Sequence, residues 1–335
     1  MSDRGTVPEW HGVTRAIFEE EIRPAGKPAV LRGIVADWPA TQAARQSDEA
    51  LVAHVAQFDA GRPLSTYVGA PAIKGRFFYR DNLRDFNFDR GEAPFRAVAD
   101  KLLRERTVAE GPAVYTGAAA ADAFFPGFAW ANPLPLLDGV TPRLWIGNAV
   151  TVSTHYDVAD NIACVVAGRR RFTLFPPAEV GNLYVGPLEH TISGQPVSMV
   201  DLDAPDFARF PRFAQALETA QVAELEPGDA IYVPTLWWHH VRSSDRFNLL
   251  VNYWWSEERD GSAFECLIHG LLAIRDLPAS EREAWRAFFD HFVFRPPKDA
   301  MAHLPVEARG VLGPRSAARS GLIREFLLRG LTRRR

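Results

Sequence analysis

The stretch of residues 143–255 alternates short runs of β-branched and apolar residues with turn residues. Within it, a helical period appears only around residues 207–217. Many short strands at this spacing are typical of barrels and sandwiches of antiparallel strands. After the stretch, helical periods cover residues 262–275, 280–294 and 321–331. We predict a mainly β protein with flanking helices and a helical C-terminal extension.

The composition is that of an ordinary globular protein. The chain has 335 residues, 47% of them hydrophobic and 24% charged, so it is long enough to bury a large core. Its net charge of −3 predicts no general attraction to nucleic acid, although the end from Arg315 to Arg335 is rich in arginine. No stretch reaches the roughly 18 consecutive apolar residues of a membrane span. The two cysteines, Cys164 and Cys266, lie in apolar runs, which predicts buried thiols in a reducing compartment. We expect a cytoplasmic protein that binds neither nucleic acid nor membrane.

Candidate metal ligands lie in two of the strand-like regions. His155 and Asp157 are two residues apart in a β-branched run, so on a strand both side chains would project from one face. Downstream, a Pro-Gly-Asp turn and a buried strand lead to His239 and His240, of which one faces inward because adjacent strand residues point in opposite directions. Two imidazoles and one carboxylate leave three adjacent metal positions open, as in non-heme Fe(II) oxygenases. Zinc with the same ligands would keep one water and favour hydrolysis instead.

A candidate cation follows in the next hairpin. Arg169, Arg170 and Arg171 come directly after Gly168. One of them can point into the barrel and bind the far carboxylate of a dicarboxylate cosubstrate through two hydrogen bonds. The pattern leaves open which arginine does so, because hairpin twist can shift the inward position by one residue. Arg246 is a rival cation, and a solvated basic turn is the alternative without a ligand.

Three segments together form a specific combination. They are His-Tyr-Asp at 155–157 with Asn161, Gly-Arg-Arg-Arg-Phe-Thr-Leu-Phe-Pro-Pro at 168–177, and Pro-Gly-Asp-Ala-Ile-Tyr-Val-Pro-Thr-Leu-Trp-Trp-His-His-Val at 227–241, followed by Asn252 and Trp254. The combination resembles the cupin-like JmjC group of Fe(II)- and 2-oxoglutarate-dependent oxygenases, which includes asparaginyl hydroxylases. The likeness covers residues 28–255, whereas a His-x-Asp motif by itself is not specific.

The resemblance implies a double-stranded β-helix barrel, or jelly roll, with helices packed outside. It implies that His155, Asp157 and His239 are the catalytic iron ligands, with His240 as the alternative third ligand. The implied activity is that of a dioxygenase that uses Fe(II), 2-oxoglutarate and O2 to hydroxylate a protein side chain. Small-molecule hydroxylation and lysine demethylation stay open, as do a zinc-dependent or other non-oxygenase cupin and a non-catalytic binding protein.

The resemblance also implies a cosubstrate pocket. Arg170 stands two positions after the hairpin glycine, where the family usually has a lysine that binds the far carboxylate of 2-oxoglutarate. Tyr115, Asn161 and Asn252 match residues that line this pocket in the family. Val152 stands where a threonine is common, so that hydrogen bond is lost or supplied by a neighbour. The neighbouring candidates are Thr151, Ser153 and Thr154.

We expect three parts in the chain. Residues 1–110 form helices and strands that pack on the barrel, residues 111–258 form the barrel core, and residues 259–335 form the helical extension. In the resembled hydroxylases the helices after the barrel form a dimer, which predicts a homodimer through residues 262–331. The last helix is amphipathic and basic, so docking on its own domain is the alternative.

Overall fold

The computed structural model describes residues 5–256, 261–295, 301 and 303–332. The chain divides into two compact units, one up to residue 256 and one from residue 257 onward. The predicted boundary after residue 258 lies outside the described residues, and the predicted division at residue 110 stays a prediction.

The first unit is built from two β-sheets and short helices. Its strands are β1 (Gly5–Thr6), β2 (Glu9–His11), β3 (Ala29–Arg32), β4 (Leu64–Gly69), β5 (Phe88–Ala93), β6 (Ala113–Ala120), β7 (Arg143–Gly147), β8 (Thr151–His155), β9 (Asp160–Ala167), β10 (Arg170–Phe175), β11 (Gln221–Leu225), β12 (Ala230–Val233), β13 (Trp238–Ser243) and β14 (Asn248–Trp255). Its helices are α1 (Arg15–Ile17), which continues as a π-helix (Phe18–Ile22), α2 (Pro39–Gln46), α3 (Asp48–Ala56), α4 (Phe95–Glu105), α5 (Ala121–Phe124), α6 (Phe128–Ala131) and α7 (Phe213–Glu218). Short 3₁₀ turns cover Pro71–Ile73 and Pro177–Gly181.

The two sheets bring the ligand-bearing strands together. The five-stranded sheet has the order β1-β11-β10-β13-β8, and the nine-stranded sheet has the order β2-β3-β12-β9-β14-β7-β6-β4-β5. The strands from β7 to β14 pair antiparallel with their neighbours from this stretch. The prediction of a cupin-like jelly roll with flanking helices is confirmed.

An apolar core lies between the inner faces of the sheets. The nine-stranded sheet contributes Val165, Ile231 and Leu250, and the five-stranded sheet contributes Phe172 and Val241. Because strand side chains alternate between faces, the intervening residues of β9 and β14 face the other way. This is why both strands are apolar along almost their whole length.

A second apolar layer covers the outer face of the nine-stranded sheet. Cys164 and Val251 from β9 and β14 pack there in one cluster with Leu51 of α3 and Val98 of α4. The N-terminal helices therefore shield one face of the sheet and leave its other face to form the interior of the barrel.

The turn between β9 and β10 requires a glycine. Gly168 has φ +73°, and a Cβ there would lie 2.1 Å from Asn248 Oδ1 and 2.9 Å from the Phe247 carbonyl oxygen. We expect Gly168→Ala to lower the free energy of unfolding by about 2 kcal/mol or more, of which roughly half reflects the left-handed backbone and the rest the close contact. Gly139→Ala is the control, because Gly139 has φ +67° and no atom near its Cβ position. Urea unfolding measures both variants. Equal losses of unfolding free energy in Gly168→Ala and Gly139→Ala would show that the close contact with Asn248 and Phe247 has no effect.

The second unit is helical, as predicted. It contains α8 (Ala263–Ala273), α9 (Ala279–Phe289), a π-helix (Asp290–Phe294), 3₁₀ turns (Val306–Ala308 and Gly310–Leu312) and α10 (Ala317–Thr332). Cys266 on α8 is exposed, so its predicted burial is wrong, whereas Cys164 is buried as predicted. The apolar run around Cys266 forms an exposed helix rather than a core segment. No helix among the described residues is long and apolar enough to cross a membrane.

Apolar side chains are exposed on several elements of this unit. Leu272, Phe294 and Phe326 are each about three-quarters exposed, at 74%, 74% and 76%. Exposed apolar surface of this kind is typical of association sites. Dimerisation through residues 262–331 stays a prediction, and sedimentation of a monomer at high protein concentration would contradict it. The terminal Arg333, Arg334 and Arg335 lie outside the described residues.

Candidate metal centre

The two histidines meet across a pair of adjacent strands. β8 and β13 are antiparallel neighbours, and His239 stands directly opposite His155 in their register. Residues directly opposite each other in such a pair have side chains close enough to interact. The two imidazole ring centroids are 4.2 Å apart. The pairing thus supplies two nitrogen ligands at one point of the barrel interior.

The carboxylate reaches this point from a loop and not from a strand. β8 ends at His155, so Asp157 lies beyond the strand on which the sequence pattern places it. Its main-chain carbonyl accepts a hydrogen bond from the Leu236 N–H at 2.8 Å, which ties the loop to the segment before β13. Asp157 Oδ2 lies 3.6 Å from His239 Nε2. The ligand atoms of His155, Asp157 and His239 all lie within 4.8 Å of one another, and the group can hold a metal ion.

Hydrogen bonds to main-chain carbonyls orient both imidazoles. His155 Nδ1 lies 2.9 Å from the Ser153 carbonyl oxygen, and His239 Nδ1 lies 3.0 Å from that of Trp237. A carbonyl oxygen only accepts, so each Nδ1 carries a hydrogen, and in the neutral form of such a ring Nε2 keeps a free lone pair. Burial, reinforced by His155, lowers the pKa of His239, which keeps that ring neutral. Neutral imidazoles with an anchored Nδ1–H are the form that binds metals.

His240 lies on the other side of β13. Its Nδ1 is 3.3 Å from Thr154 Oγ1, and its Nε2 is buried without a hydrogen-bond partner in the described part of the chain. Burial lowers the pKa of His240 to about 3. The structure brings His239, and not His240, together with His155 and Asp157.

Of the three hairpin arginines, Arg170 is the one that points inward. It is only 2% exposed. Arg169 forms an ion pair with Asp245, and Arg171 pairs with an acidic side chain of the neighbouring strand β11, so both face outward. Arg246 donates to the main-chain carbonyls of residues 108 and 109, away from the cavity. Strand alternation thus selects the middle arginine.

Arg170 is incompletely satisfied. Its guanidinium lies beside Tyr115, while Nε and Nη2 are buried without a partner in the described part of the chain. Burial lowers the pKa of Arg170 and raises that of Tyr115 to about 12. A buried guanidinium with free donors is costly unless an acceptor fills the space beside it.

The triad and Arg170 line one cavity of about 110 Å³. Asn161 and Asn252 also line it, with Asn252 Nδ2 donating to Asn161 Oδ1 at 2.9 Å. Asn252 Oδ1 is buried without a partner in the described residues. Every residue predicted to contact metal or cosubstrate therefore lies at this one cavity.

The sequence profile of the cupin-like domain matches residues 14–261. The chain belongs to the cupin-like JmjC family. It is 28% identical over 269 residues to tRNA wybutosine-synthesizing protein 5 of Homo sapiens, covering 74% of this chain and 77% of that protein. It is 38% identical over 114 residues to Lysine-specific demethylase JMJ31 of Arabidopsis thaliana, covering 34% of this chain and 20% of that protein. It is 37% identical over 120 residues to Lysine-specific demethylase 8 of Xenopus tropicalis, covering 36% of this chain and 26% of that protein. The chain thus spans about a quarter or less of the two demethylases.

In this JmjC protein the cavity also has an aromatic wall. Trp145 and Trp254 both line the cavity. Trp145 stacks on Tyr115 with ring centroids 5.6 Å apart, and Trp254 meets Trp145 edge to face at 5.7 Å. The sequence signal that could have placed Trp254 in the cavity is its position two residues after Asn252, because residues two apart lie on one face of a strand. Phe77, which lies between β4 and β5, also belongs to this wall.

Val152 lines the cavity at the position where the family commonly has threonine. Thr154 Oγ1 is engaged with His240, so it does not replace the missing hydroxyl. Thr151 and Ser153 also line the cavity, and Ser153 Oγ is buried without a partner in the described residues. Of these neighbouring candidates, Ser153 therefore has a hydroxyl that is still available to form a hydrogen bond.

Proposed function

We propose that this JmjC protein is an Fe(II)- and 2-oxoglutarate-dependent oxygenase. The observation that carries the proposal is a triad of two imidazoles and one carboxylate in the same cavity as a buried arginine with free donors. The triad leaves three coordination positions for other ligands, which is the arrangement of non-heme Fe(II) oxygenases. A four-coordinate zinc hydrolase would have no use for the buried arginine.

The residues fit the cosubstrate as well as the metal. The far carboxylate of 2-oxoglutarate would accept from Arg170 Nε and Nη2, the two donors that lack partners. Arg–carboxylate pairs of this bidentate kind are among the strongest hydrogen-bonded pairs in proteins. Tyr115 lies beside the guanidinium, and Asn252 Oδ1 is free to accept a hydrogen bond from a bound group.

The chain's part in the reaction is to bind, orient and exclude water. His155, Asp157 and His239 would hold Fe(II) through two nitrogens and one oxygen. Trp145, Trp254 and Phe77 present apolar faces that keep water away from the metal. Iron with bound 2-oxoglutarate and O2 supplies the oxidising power for C–H hydroxylation. The rigid strands β8, β13 and β14 keep the reacting groups in fixed relative positions.

For the substrate we propose a protein side chain, on the resemblance of the ligand motifs to those of asparaginyl hydroxylases. Demethylation of a lysine is the second candidate, because two relatives are named lysine-specific demethylases. Hydroxylation of an N-methyl carbon and of a side-chain carbon use the same iron chemistry, so the triad serves either. Small-molecule hydroxylation is the third candidate, and fold alone does not select among them.

The test is cosubstrate turnover by the purified full chain. With Fe(II), 2-oxoglutarate and air, we expect succinate to form, and chelation of the metal to stop it. A zinc hydrolase, an isomerase or a non-catalytic cupin would form no succinate. Mass spectrometry of peptide mixtures then separates the substrate classes: a hydroxylase adds one oxygen atom, whereas a demethylase removes a methyl group from methyl-lysine.

A further inference from the structure

Trp254 contacts the triad directly. Its indole Nε1 donates a hydrogen bond to Asp157 Oδ2 at 3.1 Å. The same oxygen is the one that lies 3.6 Å from His239 Nε2. The indole N–H thus binds the carboxylate at the oxygen that faces the other ligands.

The loop position of Asp157 makes this contact important. Asp157 lies beyond β8, so no strand pairing fixes its side chain. Its main chain is held by the Leu236 N–H, and its carboxylate is held by Trp254, which reaches it from β14. In the register of β14 with β9, Trp254 stands opposite Asn161, four residues after Asp157. The indole therefore supplies the side-chain anchor that the loop itself lacks.

Trp254 is held in place by the aromatic wall. Trp145 meets it at an interplanar angle of 88°, and Trp145 is itself stacked on Tyr115 at 24°. Both contacts restrict the rotation of the indole planes. The N–H of Trp254 is consequently aimed at Asp157 before any metal binds.

We propose that Trp254 is a positioning residue that holds the Asp157 carboxylate in its metal-binding orientation, an inference that rests on the proposed function. A carboxylate that accepts a hydrogen bond on one oxygen cannot rotate about its Cβ–Cγ bond without breaking that bond. Partners of this kind orient metal ligands, and their loss commonly weakens metal binding by about 10- to 100-fold.

The test is metal binding by Trp254→Phe, which keeps an aromatic ring and removes the N–H. Co(II) alone, titrated into the purified full chain by calorimetry, is the probe. We expect the Kd for Co(II) to rise by about 10-fold or more. At saturating Co(II), the visible absorption spectrum of the bound ion is expected to shift, because the carboxylate binds in a different orientation. A role in packing alone would leave that spectrum unchanged.

Trp38→Phe is the matched control. Trp38 is buried away from the cavity, and its indole Nε1 donates a hydrogen bond to the Pro133 carbonyl oxygen at 2.8 Å, so this variant also removes a buried, hydrogen-bonded indole N–H. Its Kd and Co(II) spectrum are expected to match those of the wild type. Unchanged Co(II) binding and spectrum in Trp254→Phe, or equal changes in both variants, would overturn the inference. Failure of the wild type to bind Co(II) would instead overturn the proposed function.

A second replacement covers the case in which Trp254→Phe does not fold. Site-specific incorporation of the benzothiophene analogue of tryptophan at position 254 keeps both fused rings and exchanges the N–H for sulfur. This protein is expected to show the same weakened Co(II) binding and shifted spectrum. Wild-type binding by the analogue would refute the role of the N–H.

Discussion

His239→Ala is expected to lower succinate formation by about a thousandfold or more, a loss of roughly 4 kcal/mol in transition-state stabilisation. His239 faces His155 across β8 and β13, and its Nε2 has the free lone pair that a metal needs. With one nitrogen gone, two ligands remain, and they hold Fe(II) too weakly for turnover. The measurement is succinate release per mole of folded enzyme, at one fixed concentration each of Fe(II) and 2-oxoglutarate that saturates the wild type.

His240→Ala is the control for this prediction, because it removes the same side chain one residue away. His240 is buried on the opposite side of β13, beside Thr154, so its loss costs stability through a cavity but removes no ligand. We expect a lower melting temperature with Co(II) affinity and turnover retained. Loss of Co(II) binding in His240→Ala with retention in His239→Ala would show that the ligand assignment is reversed.

Arg170→Met is expected to raise the KM for 2-oxoglutarate by about 100-fold or more, because truncating one partner of a buried, hydrogen-bonded charge pair costs about 2–5 kcal/mol. Methionine fills a similar volume without offering a donor. The KM of Arg170→Lys is expected to lie between those of the wild type and Arg170→Met, since lysine keeps the charge and loses the planar fork. Steady-state assays at varied 2-oxoglutarate measure the effect.

Arg169→Met is the matched control, since this arginine comes from the same turn. Its side chain is 64% exposed, and it pairs with Asp245 on the surface. Exposed ion pairs contribute little free energy, so the KM of Arg169→Met for 2-oxoglutarate is expected to stay at the wild-type value. A raised KM in Arg169→Met together with a normal KM in Arg170→Met would contradict the assignment of the cation.

We also expect Arg170→Met to change the stability of the protein. Without cosubstrate, Arg170 is a buried charge that contacts Tyr115 and leaves two donors unused. Replacing such a group with an apolar one of similar size is often neutral or stabilising. We therefore expect Arg170→Met to melt no lower than the wild type without cosubstrate, and to lose the stabilisation that 2-oxoglutarate gives the wild type. A much lower melting temperature without cosubstrate would indicate a structural role instead.

Much of the site was predictable because its parts are local. The spacing of His155 and Asp157, the Pro-Gly-Asp turn before His239 and the glycine before Arg170 are short patterns with a defined backbone meaning. The choice between His239 and His240 was open because both satisfy the same pattern. The choice depends on which residue of β13 stands opposite His155 in the strand register. The two facing histidines, His155 and His239, are 84 residues apart in the sequence (239 − 155).

The sequence by itself determined the β-rich region, its helical extension and the set of candidate ligands, because turn residues and period-two alternation act within a few residues of the chain. The tertiary structure alone decided that Asp157 reaches the site from a loop, that Arg170 rather than Arg169 or Arg171 faces the cavity, and that Trp254 donates to Asp157 across 97 residues of sequence. These facts depend on how distant strands pair. Local periodicity says which residues share a face, whereas only the packed sheets decide what that face meets.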